Sequence, residues 1–142
     1  MFSSENHVGR LVELRVITPL SGDEILELRQ THLAVIQAIA GDFVVVVDMR
    51  RAHVFPPAIS EAFIGLMSQL NPKLLRSAVL INESAVLGLQ AERAIRAAGN
   101  PDRRAFRDPE ALQVWLGEVL DAREQARLQD FLAAGAVSDS EA

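Results

Sequence analysis

The chain contains no cysteine among its 142 residues. That absence excludes a disulfide scaffold, a thiol nucleophile, an iron–sulfur site and a cysteine-ligated zinc site. Lysine is nearly missing too: Lys73 stands beside thirteen arginines, a skew that reads as genome bias rather than as function. No run approaches the roughly 18–20 apolar residues that a membrane span needs. The opening segment MFSSENHVGR has no basic stretch followed by an apolar one, so it does not read as a signal peptide, and a cytoplasmic location is expected. The phosphate-cradling patterns G-x-G-x-x-G and G-x-x-x-x-G-K-[ST] are absent, as is the nucleophile elbow G-x-S-x-G. No cofactor is therefore expected. The histidines, His7, His32 and His53, fall on three separate elements without paired spacing, which gives no expectation of a metal site.

What is present matches an ordinary globular chain. Apolar residues make up 49% and charged residues 23%, close to the averages for folded domains. The length suits one domain. A chain of this size buries roughly 68–70% of its unfolded surface and needs no covalent staple. The net charge of −5 hides an uneven distribution. Residues 1–49 carry −4, residues 50–107 carry +5 and residues 108–142 carry −6. The basic middle is too sparse for a nucleic-acid binder, and its acidic flanks would repel phosphates.

The apolar pattern predicts alternating strands and helices. Residues 8–17 alternate loosely and predict an edge strand or hairpin. Ser21 and Glu24 form a capping box, with Leu20 and Ile25 as its staple. Ile25, Leu28, His32, Leu33, Ile36 and Ile39 then follow helical spacing, ended by Gly41. His32 lies on or beside that stripe, where a satisfied, partly buried histidine is expected. FVVVVDM, residues 43–49, is a β-branched run and predicts a strand buried on both faces. Pro56 and Pro57 open a second helix, which closes at Asn71-Pro72. SAVLI, residues 77–81, predicts another buried strand. A third helix starts at Asn82 or Ser84 and ends at Gly99-Asn100-Pro101. RRAF, residues 103–106, predicts a short strand, and Asp108-Pro109-Glu110 is a strong helix start. The last apolar pattern pauses over DAREQAR, so one long helix and two helices both remain open. Gly135 stops the helix, and a frayed tail follows.

The expected fold is thus α/β, a single domain with βαβαβαβα order. Its sheet is four- to five-stranded, mostly parallel and covered by helices. Residues 1–120 form the domain, and residues 121–142 form a helical extension and tail.

Asp48 closes the central strand, an edge where open α/β sheets bind ligands. A phosphoacceptor role would need a second acidic cluster after the first strand, where Thr18-Pro19-Leu20 stand instead. Asp48 is therefore expected to cap the following turn or to pair with Arg50 or Arg51. Arg50, Arg51 and His53 share the carboxyl edge and suggest a small anion or acidic-partner surface. Arg76 lies at the opposite edge.

Three segments carry a family resemblance: ELRVITPLSGDEILEL, FVVVVDMRRAHVFPPAISEAFIGL, and SAVLINESAVLGLQAERAI followed by RRAFRDPEALQVWL. Together, from Leu14 to Leu116, they resemble the STAS family, within it the SpoIIAA-like, CRAL-TRIO-related branch. The resemblance implies a bacterial regulatory protein that binds another protein and performs no catalysis. In that family a phosphorylatable serine begins the second helix. Here Pro57 or Ala58 stands in its place, and Ser60 is the nearest hydroxyl. The partner surface the resemblance implies is the loop 50–58 with the second helix, presenting Arg50, Arg51, His53, Phe55, Ser60 and Glu61. Phe55 is either a lid over the core or an interface anchor. The related label implies a different class, a small-ligand or lipid binder with an apolar pocket between helices and sheet. Leu128, Phe131 and Leu132 lie beyond the minimal fold and dock either on their own domain or on a second copy, as a homodimer.

Overall fold

A computed structural model of the chain describes residues 1–136. It has five strands and five α-helices. The order is β1 (Phe2–Val8), β2 (Leu11–Val16), α1 (Gly22–Gln37), β3 (Phe43–Met49), α2 (Pro57–Leu70), β4 (Leu74–Ile81), α3 (Ala85–Ala98), β5 (Arg103–Phe106), α4 (Pro109–Gly117) and α5 (Ala122–Ala134). The sheet runs β1-β2-β3-β4-β5. β1 pairs antiparallel with β2, and every other neighbour is parallel. Each parallel crossover steps the same way across the sheet, so α1, α2 and α3 share one face. α4 and α5 cover the other. The two apolar cores follow this division: Val12, Leu14, Val45 and Phe63 belong to the first, and Leu11, Val44, Val46 and Leu116 to the second.

Most helix ends use the signals in the sequence. Ser21 Oγ accepts from Glu24 N at 3.1 Å, and Glu24 returns a bond to the Ser21 amide. Ser84 caps α3 and Asp108 caps α4. Three details differ from the sequence pattern. α1 ends at Gln37 with Ala38 as its cap, and Gly41, at φ +90, serves the turn into β3. β4 begins three residues earlier than SAVLI. The edge region is a full hairpin, turning through Gly9 at φ +54. Its outer strand, FSSENHV, is half solvated and so carries no apolar alternation to announce it.

The last apolar pattern is two helices. Asp121 and Glu124 form a second capping box, with bonds of 2.8 and 2.9 Å. α5 docks on the sheet of its own chain. Leu128, Phe131 and Leu132 are 1%, 3% and 3% exposed within a single copy, so they are spent on the second core rather than offered to another molecule. Polar ties hold the same helix. Arg127 forks onto Glu13 at 2.9 and 2.7 Å. The Arg10 amide donates to Glu124 at 2.7 Å. Arg15 and Arg50 reach the Phe131 and Leu132 carbonyls at the end of α5, both at 2.7 Å. The tail after residue 136 lies outside the described residues.

Candidate functional site

Arg50 and Asp48 belong to a structural cluster. Arg50 donates to both Asp48 oxygens at 3.0 Å, and Arg15 donates to Oδ2 at 3.1 Å. The Arg50 amide also bonds Asp48 Oδ1, the turn cap that the sequence suggests. Burial opposes ionisation of this carboxyl, but the hydrogen bonds and charge of Arg50, joined by Arg15, hold it below its ordinary value. Gly135 packs so closely that a Cβ there would meet Asp48, Arg15 and Arg50. A side chain at that position would push α5 away from the cluster.

The rest of the expected partner surface divides in two. Arg51, His53 and Glu61 are exposed, and Val54 beside them is 50% exposed. Phe55 is 6% exposed and is therefore a lid over the core rather than an exposed anchor. Its ring lies 5.2 Å from that of Phe63. Gln90 on α3 clamps its backbone, accepting from the Phe55 amide at 3.0 Å and donating to its carbonyl at 2.8 Å. Ser60 is half-buried and turns inward with Phe55.

Phe55 and Ser60 line a cavity between α1, α2 and α3 and the sheet, with a volume of about 100 Å³. Its walls are mainly aliphatic and aromatic. Leu14, Val47 and Val79 rise from the strands, Phe63 and Leu66 from α2, and Leu87, Ala91, Ala94 and Ile95 from α3. The small alanines of α3 leave this space open. Strand register sets polar groups in the same wall. Val12, Val45, Ser77 and Arg103 form one row across β2 to β5. Ser77 and Arg103 both line the cavity, and His32 reaches it from α1. These three are 5%, 8% and 2% exposed, so the chain buries three hydrogen-bonding side chains beside an apolar space.

His32 and Arg103 have defined states. His32 Nδ1 lies 2.8 Å from Ser4 Oγ. Burial, and secondarily the Arg103 charge, lower the imidazole to about 4, so it is neutral at pH 7. Arg103 donates through Nε to Asn71 Oδ1 at 3.1 Å and through Nη2 to the Met67 carbonyl at 2.9 Å. Burial lowers the guanidinium to about 10, and it stays charged at neutral pH.

The His32 shift has a measurable consequence. The unfolded chain takes up this proton near 6.5, while the folded protein takes it up only near 4. Acid therefore favours unfolding across that window. Urea unfolding is expected to lose about 3 kcal/mol between pH 7 and pH 4 from this group alone. The Asp48 contribution, in contrast, is lost only as pH falls below 3.8. A stability profile that stays flat from pH 6.5 to pH 4 would contradict the buried, neutral histidine.

A second hollow, between α3 and β5, is open to solvent and includes Arg107 in its lining. That side chain is committed to the Asn82 and Ser84 carbonyls, at 3.2 and 3.3 Å. No set of buried polar groups converges there. Among the described residues no helix is long and apolar enough to cross a membrane.

The loop is legible in the sequence, whereas the cavity floor is not. Ser77 heads the apolar run SAVLI and Arg103 opens the basic segment RRAF, and only strand pairing brings them side by side. His32 was legible as a core residue, but the space in front of it was not.

Comparison of the chain with family models, with curated proteins and with solved structures finds no match in any of the three.

Proposed function

We propose that this chain is a non-catalytic binding module whose site is the cavity between α1, α2, α3 and the sheet. Its ligand is a small, largely apolar molecule. One observation carries this reading: an aliphatic space of about 100 Å³ stays open behind Phe55, in a core otherwise packed with large side chains. Close packing is the rule in protein interiors, and voids larger than a water molecule are few. The volume sets the scale of the ligand. A cavity of ~150 Å³ takes up benzene, so the occupant is of that scale.

The test is to fill the space. In Ala91→Leu the added methyl groups enter the cavity. Binding of 1-butanol, followed by NMR titration, is expected to weaken at least about tenfold, equivalent to ~1.4 kcal/mol. The thermal midpoint is expected to hold or rise, as cavity-filling changes commonly do. Unchanged binding by a folded Ala91→Leu would remove the cavity as the site.

A second reading is a regulatory protein–protein module of the kind the STAS resemblance implies. The exposed Arg51, His53 and Val54 at the carboxyl edge favour it, with Glu61 on α2 beside them. The two readings separate in the same variant. A protein partner held through the loop is indifferent to Ala91→Leu, whereas a cavity ligand is not. Phe55 sits in this loop and closes over the cavity, so a ligand large enough to displace its ring would also move the loop.

A further inference from the structure

We infer that the cavity selects a short aliphatic carboxylic acid, bound as its anion with the carboxylate against Arg103 and the hydrocarbon part among Val47, Val79 and Phe63. This deepens the binding-module reading and rests on it.

Arg103 carries a charge that no acidic side chain among the described residues offsets. Arg103 is 8% exposed and lines the cavity. Among the described residues no aspartate or glutamate pairs with it. Its two protein partners, the Asn71 side-chain oxygen and the Met67 carbonyl, are neutral acceptors at the end of α2. They fix the guanidinium and take up part of its charge through the helix dipole. They leave Nη1 without a partner. Among the described residues no sealed side-chain nitrogen or oxygen lacks a hydrogen bond, so Nη1 keeps some open surface. A mostly buried cation that lines a cavity and keeps a free donor is arranged for an anion.

Two neighbours complete the receptor. Ser77 stands beside Arg103 in the strand register and lines the same space. Its hydroxyl can donate to a second carboxylate oxygen. His32 makes one bond, to Ser4, through Nδ1. Its Nε2 has no hydrogen-bond partner among the described residues, and the neutral ring, which lines the cavity, adds no competing charge. The remaining walls are apolar, which fixes the other end of the ligand. A phosphate fits poorly, since its second charge would be buried without a counterion. A neutral alcohol satisfies the walls but leaves Arg103 uncompensated. The small volume restricts the hydrocarbon part to a few carbons.

The experiment compares butanoate with 1-butanol on the full chain at pH 7, by NMR titration of backbone amides and of the Arg103 Nε–H signal. Butanoate is expected to bind at least about tenfold more tightly than the alcohol. It should shift the Arg103 side-chain signal together with the amides of Ser77 and Val79. In Arg103→Gln the advantage is expected to fall below about twofold. Because Arg103 also holds the end of α2, that variant can lose its fold. The wild-type Arg103 signal then decides alone. Equal binding of both probes in the cavity, or butanoate binding that leaves the Arg103 signal in place, overturns the carboxylate inference while the cavity reading stands. Binding of neither probe overturns both.

Discussion

A chain ending at Asp121 is expected not to fold. Leu128, Phe131 and Leu132 are almost fully buried on the sheet, and burial of three such side chains contributes roughly 5–9 kcal/mol. That is comparable with the whole stability of a typical domain, about 5–15 kcal/mol. The loss extends beyond these three residues. Leu11 on β2, 0% exposed in the intact chain and covered by α5, would face water. Glu13 would lose Arg127, and Arg15 and Arg50 would lose the Phe131 and Leu132 carbonyls. Circular dichroism of the truncated chain should show no cooperative thermal transition. A cooperative transition within a few degrees of the full-length value would show that α5 is dispensable. It would also reopen a role for these residues at a dimer surface.

Asp48→Ala is the point substitution expected to cost most. The carboxylate is buried and ties two arginines together. Removing one member of a buried ion pair strands its partners, typically at about 3–5 kcal/mol. Here two guanidinium groups would remain beside the end of α5, held by main-chain carbonyls and, for Arg15, by the face of the Phe131 ring. Urea unfolding of Asp48→Ala should show a loss in that range, with α5 amides exchanging fastest in hydrogen-exchange measurements. A loss below about 1 kcal/mol, typical of an exposed pair, would mean that the cluster is a surface feature.

These predictions rest on parts of the fold that differed in legibility. The α/β order, the buried central strand and the first capping box could be read directly, because each is a local pattern. The pairing of Asp48 with Arg50 was also within reach, since the two are neighbours in sequence. The second capping box was legible in principle: Asp121 and Glu124 have the same spacing as Ser21 and Glu24. The polar stretch around them drew attention instead to a break in the apolar stripe.

The edge strand was harder to see, because one solvated face and two apolar residues leave little periodicity. The site was hardest. Phe55 could be placed in a loop but not given a direction, which depends on Phe63 and on the Gln90 clamp from another helix. Arg103 appeared as one more basic residue in a charged middle. Its neighbours Ser77 and Val45 come from strands β4 and β3, and no local pattern records that meeting. The alanines of α3 are compatible in sequence with close packing and with open space, and the placement of α2 against α3 leaves the space open.

The proposed site requires that small molecules enter the space behind Phe55. A crystal structure under xenon pressure tests it most directly, because xenon enters apolar cavities without needing a hydrogen bond. The account predicts xenon density among Val47, Phe63, Val79 and Leu87. Collapsed side chains and no xenon there, in crystals that bind it elsewhere, would contradict the account.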